Sequence, residues 1–329
     1  MSLQIVAFDE SHLDDAAAVL ARRQARLRET EPALPERFTD PHHARELVAA
    51  ALAAPESHGV VALLDGRLVA YLLGAPRYEP IWNRAAWSPV EGQALEPGIA
   101  ADLMRDVYAA WAPHWVERGF FLHYVHAPAH EARLLDAWSD LNFGRMQAHA
   151  VRDLDERLEA PADPAFEIRC IGPEDAQGIA PLYDLIARHQ VLAPAYAITL
   201  PERYAAFPAD YAEDIADPRS HYWVAFEGER PIGLAGFYET EPALMTPDGA
   251  WELGAAMTAP GARGHGVQRA LLSAGFAAAR EAGARHSITD WRTANLLSSR
   301  SWTALGYRPT HFRLHRAIDP RVAWAGRAG

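Results

Sequence analysis

The sequence predicts an α/β fold made of two tandem units, each a mixed, largely antiparallel sheet flanked by helices. The first observation is an internal repeat: Trp87 falls on Trp251, Gly119 on Gly283, Trp138 on Trp302, Leu141 on Leu305 and Phe143 on Tyr307, each at a shift of 164. The N-terminal segments Leu3–Phe8 and Phe166–Ile171 match at a shift of 163. A repeat this long is a duplicated domain rather than a solenoid unit. The second observation is length, because 329 residues exceed one ordinary core and half of them are hydrophobic, enough to fill two. The third is a hydrophobic period that switches repeatedly between strand and helix along the second unit.

The elements of the second unit read in order. Residues 166–171 alternate as a strand, 174–188 read as a helix, and 203–217 as a helical stretch broken by Pro208. Ser220–Glu227 and Pro231–Tyr238 flank the turn Gly228-Glu229-Arg230 as a hairpin, and Ala250–Thr258 follows as a strand. Val267, Leu271, Leu272 and Phe276 keep helical spacing up to a stop at Gly283. Arg285–Trp291 is a strand, 295–305 a helix stopped by Gly306, and Tyr307–Ile318 a last strand. An antiparallel meander followed by a β-α-β-α-β tail implies a sheet of mixed direction. The polar, proline-punctuated run Glu156–Pro164 reads as the linker, which places domains at 1–158 and 165–319 with a boundary near residue 160.

A net charge of -12 and a pI near 5.7 argue against nucleic-acid or anionic-membrane partners, so any anion site must be local. The chain has no lysine, which excludes Walker loops, pyridoxal Schiff bases and lysine nucleophiles. A single cysteine forms no internal disulfide, and there is neither a signal-like start nor a long apolar run; a soluble cytoplasmic protein, monomer or homodimer, is expected. Cys170, in the alternating run Phe166–Ile171, reads as a buried strand thiol without a role.

The segment with chemistry in it is Thr258-Ala-Pro-Gly-Ala-Arg263-Gly264-His265-Gly266-Val267-Gln268, a strand breaking through glycines into an amphipathic helix. Such a junction aims successive backbone N–H groups at one point, with the positive end of the helix dipole behind them, and predicts a phosphorylated ligand. The glycines do not follow the dinucleotide pattern, and no acidic residue stands at the matching distance downstream.

This loop, together with Asn295 and Leu305-Gly306-Tyr307, resembles the GNAT superfamily of acyl-CoA dependent N-acetyltransferases, and the element order of the whole second unit does so too. The resemblance implies acetyl-CoA as co-substrate and an amine of a small molecule or peptide as acceptor. It assigns the pyrophosphate to the amides of Arg263, Gly264, His265, Gly266, Val267 and Gln268, and the pantetheine arm to Met257, Thr258 and Asn295. Gln268 departs from the family, which usually carries Gly or Ala there. The resemblance also points to a carboxylate base on the strand before the loop, where Glu252 stands eleven residues ahead of Arg263. Trp251 and Leu253 would face the opposite side of that strand. Many members carry a Tyr seven residues after the Asn to protonate the leaving sulfur; here that place is Trp302, which reads either as a wall of the coenzyme pocket or as core. Indole is no such acid, so water or a nearby serine would serve. Tyr222, Tyr238, Trp251 and Trp291 are candidates for an acceptor pocket, with core packing as the alternative.

In the first unit the cradle is gone. Arg263, Gly264 and Gly266 shift back onto Ile99, Ala100 and Asp102, and Asn295 onto Glu131, so one coenzyme per chain is expected. His123, His126 and His130 are poorly placed for a metal, since the first two would face opposite sides of a strand, and no metal is expected. Beside the transferase stands a second reading, a non-catalytic acyl-CoA binding or regulatory module, which the missing Tyr acid and the altered first unit favour.

Overall fold

A computed structural model describes residues 2–160 and 165–325. Of the linker, residues 161–164 lie outside the described residues. By its contacts the chain divides into two units, Met1–Ala148 with Ala243–Met245 and Pro309–Gly329, and His149–Pro242 with Thr246–Arg308.

The first unit contains β1 (Leu3–Ala7), α1 (Leu13–Thr30), α2 (Pro41–Leu52), β2 (His58–Leu64), β3 (Arg67–Arg77), β4 (Ala85–Trp87), β5 (Gln93–Leu95), α3 (Leu103–Glu117), β6 (Leu122–Pro128) and α4 (Ala132–Asp140). The strand β7 (Gly144–Asp153) starts in this unit and ends in the second. Strands β1, β2, β3 and β4 pair antiparallel in that order, β5 also pairs with β3, and β4 pairs parallel with β6. Trp111, Trp115 and Trp138, the largest fully buried side chains, lie in its interior, where Trp115 meets the rings of Trp111 and Phe120 and Trp138 meets that of Phe143.

The second unit contains β8 (Glu167–Ile171), a 3-10 stretch at Pro173–Leu182, α5 (Leu185–Gln190), α6 (Pro201–Ala216), β9 (Ser220–Glu227), β10 (Arg230–Glu239), β11 (Trp251–Thr258), α7 (Val267–Glu281), β12 (His286–Arg292) and α8 (Leu296–Ala304). Strands β8 to β11 pair antiparallel in sequence order and β11 pairs parallel with β12, the mixed and largely antiparallel sheet expected. The last strand, β13 (Arg308–Ala317), lies mostly in the first unit, where it pairs antiparallel with β6 from His311 opposite Pro128 to Ala317 opposite Leu122. Leu244 likewise sits in the core of the first unit, 2% exposed. These contacts divide the chain in space differently from its repeat in sequence.

The repeat itself is carried by the helices and by β6. Shifting α3, β6 and α4 by 164 residues gives the bounds of α7, β12 and α8. Two local expectations need correction. The helix expected over 174–188 is a 3-10 stretch followed by the short α5, because Pro173 and Pro181 remove N–H donors and tighten the turns. The helix expected to break at Pro208 runs through it: one lost backbone bond is outweighed by Phe207, Tyr211 and Ile215 packing on the sheet. Cys170, expected buried, is exposed, since β8 is the outer strand of its unit and most of its residues are exposed.

Candidate active site

Gly254 organises the strand that matters most. The register between β10 and β11 jumps there: Gly236 is opposite Ala255 and Phe237 opposite Leu253, so Gly254 is a bulge without a partner. One extra residue reverses side-chain alternation beyond it. Trp251 and Leu253 therefore share a face with Phe237 and α7, whose Phe276 meets the Phe237 ring. Glu252 shares the other face with Ala255 and Met257, the face that carries Tyr222, Leu234 and Tyr238.

On that face Glu252 is half-buried, opposite Tyr238 in β10 and Ile288 in β12. Burial raises its pKa above the usual carboxylate range, and Asp290 on β12 pushes it the same way. Asp290, which sequence reasoning missed, lies 3.8 Å from His149. Tyr222 and Tyr238 share a short hydroxyl–hydroxyl hydrogen bond, and both hydroxyls lie 3.3 Å from Asp214 Oδ2 on α6, which accepts from the one whose proton is not spent on the other. Burial and the neighbouring anions raise Tyr238 to about 12, so its hydroxyl keeps its proton at neutral pH. Asp214 was also missed: nothing in a helical Asp signals which strand tyrosines it will meet.

The four aromatic candidates divide between the faces. Tyr222 and Tyr238 flank the Glu252 side, whereas Trp251 stacks on His221 at 4.2 Å beside Phe237, and Trp291 donates 3.0 Å to Ser299 Oγ on α8. Both tryptophans are buried, 5% and 6% exposed. The bulge and the parallel pairing of β12 put them on the helix side of the sheet.

Strands β11 and β12 pair only from Trp251 opposite Ser287 to Leu253 opposite Thr289, and Thr289 Oγ1 closes the pairing with a 2.8 Å bond to Leu253 O. Beyond it β11 continues to Met257 and Thr258 along β10 alone, so the two strands part. Gly264 and Gly266 then take φ of 82 and 76 degrees, a left-handed conformation that turns the chain into α7 with Gly266 as N-cap. The first amide to bond back is Ala270, to Gly266 O at 3.0 Å, so the amides of Gly266, Val267, Gln268 and Arg269 have no acceptor within the helix. Arg263 and His265 are exposed at the turn, and Arg263 Nε donates to Thr258 O. Gln268 lies against Thr258, whose hydroxyl donates 3.3 Å to Gln268 Oε1, so the larger side chain leans onto the strand. Asn295 caps α8 through the Ser298 amide at 3.3 Å and meets His189 Nε2 of α5 at 3.2 Å. Trp302 is 8% exposed and meets the Tyr307 ring edge-on, a core position.

Residues 188–307 match the sequence model of the acetyltransferase (GNAT) family. The second unit carries a GNAT domain. Over the whole chain the fold is similar to a GCN5-related N-acetyltransferase from Sphaerobacter thermophilus, with a TM-score of 0.60, 15% identity and 95% of both chains covered. It is also similar to a tandem GNAT protein from the clavulanic acid biosynthesis pathway, with a TM-score of 0.54, 15% identity, and 97% of this chain and 99% of that one covered. No curated protein matches the sequence. At such identities the likeness establishes the fold, a tandem GNAT arrangement, and that fold is a framework for acyl transfer.

In the first unit the equivalents of the GNAT elements are differently equipped. Asp102 is the N-cap of α3, as Gly266 is of α7, and pairs with Arg105 at 2.9 Å. Glu131 is the N-cap residue of α4, as Asn295 is of α8, and pairs with Arg26 of α1. His123 is hydrogen-bonded to Tyr108 and Phe120, and His126 to Ser88. Among the described residues no group of three His, Cys, Asp or Glu could hold a metal ion, and no helix is long and apolar enough to cross a membrane.

Proposed function

We propose that the second unit is an acetyl-CoA dependent N-acetyltransferase that moves an acetyl group directly to a primary amine of a small molecule or peptide. What carries this reading is that the parting of β11 from β12 leads, within one strand, from the half-buried Glu252 to the glycine-bounded N-terminus of α7. The residues fit the coenzyme: four helix N-terminal amides suit a pyrophosphate, and the unpaired edge of β11 at Met257 and Thr258 suits the amide-bearing arm. When bound, acetyl-CoA would supply an activated acyl group.

Glu252 is the base in this reading. An amine acceptor reaches the site largely as an ammonium ion and must lose a proton; a carboxylate with a raised pKa takes it more readily than an ordinary one, directly or through one water. Backbone amides near Met257 and Thr258 would polarise the acyl oxygen. No tyrosine stands at Trp302, and a free thiol with a pKa near 8.5 takes its proton from water. The carboxylates of Asp214, Glu252 and Asp290 favour a cationic acceptor. The proposal includes one coenzyme per chain, no nucleic-acid or membrane partner, and a cytoplasmic setting.

The test is an amine panel with acetyl-CoA, followed by thiol release and by the mass of the product. Steady thiol release that depends on the amine supports the transferase. Saturable acetyl-CoA binding with no thiol release across the panel would instead support the non-catalytic module, and calorimetry showing two equal sites would overturn the single-site reading.

A further inference from the structure

The hydroxyls of Tyr222 and Tyr238 and the carboxylate of Asp214 form a cluster with no proton to spare. One hydroxyl proton bridges the two tyrosines, and the other goes to Asp214 Oδ2, which lies 3.3 Å from each hydroxyl. Asp214 Oδ1 has no hydrogen-bond partner among the described residues. A ligand group that meets this cluster therefore finds only acceptors and must itself be a donor.

Asp214 also lacks a cation. Along α6 and the turn after it, half-buried Asp210 pairs with Arg203 at 2.7 Å and half-buried Asp217 with Arg219 at 3.7 Å. Asp214, equally half-buried, is in no ion pair among the described residues, and Glu252 is in neither an ion pair nor a hydrogen bond. Asp290 differs from both, since His149 faces it at 3.8 Å. Tyr238 measures the gap between the two unpaired carboxylates: its backbone stands opposite Glu252 in the pairing of β10 with β11, and its hydroxyl reaches Asp214. Burial raises the pKa of that hydroxyl, and the charges of Asp214 and Glu252 each raise it further, as carboxylates on either side of it must. Both tyrosine rings rest on glycine backbone. A Cβ on Gly236 would come within 2.8 Å of Tyr222 Cε1, and one on Gly254 within 2.6 Å of Tyr238 Cε2. The cluster is thus held at a set distance from Glu252, roughly the length of a tyrosine side chain.

We propose that Asp214 determines acceptor specificity: it takes a second cationic group of the acceptor while the amine to be acetylated lies at Glu252, so short diamines are preferred over monoamines. The inference rests on Glu252 being the base of the proposed transferase. The transfer step is unchanged: the N–C bond forms as the C–S bond breaks, one ammonium proton leaves through Glu252, and a second reaches the thiolate by way of water. The far ammonium supplies the donor that the Asp214 cluster lacks and the positive charge that neither carboxylate finds within the protein.

Putrescine and n-butylamine, which share a chain length and differ in the second cation, test this by steady-state thiol release and by calorimetric titration of the full-length protein. The kcat/KM for putrescine is expected to exceed that for n-butylamine at least about tenfold, because a hydrogen bond to a charged group is worth a factor of that order or more. Asp214→Asn keeps an oxygen for the tyrosines but loses the charge, and the ratio should fall toward unity. Glu213→Gln removes the same charge from the exposed neighbour on α6 and should leave the ratio unchanged. Equal kcat/KM values in the wild type, a preference that persists in Asp214→Asn, or an equal loss in Glu213→Gln would each overturn the assignment. Thiol release with neither amine, nor with any other of the panel, removes the transferase reading and leaves the subsite to calorimetry. There, tenfold tighter putrescine binding that is lost in Asp214→Asn upholds the subsite, and equal affinities for the two amines sink it.

Discussion

The ring of Tyr238 occupies the space that a side chain on Gly254 would need: a Cβ placed on Gly254 would come within 2.6 Å of Tyr238 Cε2. The bulge that turns Glu252 toward the tyrosine face is therefore tied to glycine by contact. Gly254→Ala displaces a ring already held by Tyr222 and Asp214. An overpacking cost of about 1–3 kcal/mol is expected in urea unfolding, together with a fall in kcat as Glu252 shifts. Unchanged stability and turnover would show that the ring simply moves aside.

Glu252→Gln removes the proposed base and keeps its shape. The rate should drop by about 10²–10⁴ while acetyl-CoA affinity, measured by calorimetry, stays within a few-fold. A mutant that retains the wild-type rate would remove Glu252 from the mechanism.

The raised pKa of Glu252 also fixes a sign for stability. The folded state favours its protonated form, so its contribution is greatest below the ordinary value of 4.5 and is lost as pH rises to the folded value. Glu252→Gln should therefore gain stability relative to wild type at neutral pH, and the difference should shrink as pH falls toward 4.5. Denaturant titrations at several pH values read this directly.

Gly266→Asp copies Asp102 of the first unit into the second. Asp tolerates both the left-handed conformation and the N-cap, so the fold should survive. In the proposed site the new carboxylate would face the pyrophosphate, and acetyl-CoA affinity should fall at least about tenfold by calorimetry.

Trp302→Phe keeps an aromatic against Tyr307 and should cost about 1–2 kcal/mol with turnover within a few-fold. Abolished turnover with intact acetyl-CoA affinity would give the indole a part in the reaction that its core position does not suggest.

Much of this was legible in the chain because it is local or repeated. The hairpin from Ser220 to Glu239 follows from alternation around a glycine turn, and the turn into α7 from two glycines that take positive φ. The shift of 164 carries α3 and α4 onto α7 and α8 because a repeated unit keeps its helix bounds while the residues at its helix N-termini differ. The glycine turn into α7 and the Asn295 cap are set by chain-local geometry, and the presence of Asp102 and Glu131 at the matching positions of the first unit is visible without coordinates.

Only the tertiary structure decided which side chains meet. Asp214 joins Tyr222 and Tyr238, 8 and 24 residues further along the chain, and Asp290 is brought near Glu252 by the parallel pairing of β12. A period-two pattern gives each strand two faces but does not say where one extra residue exchanges them, so the bulge at Gly254 sorted the four aromatics that sequence alone had grouped. Long-range pairing likewise carried β13 to β6, since a strand's partner depends on which edge lies open to it rather than on its own residues.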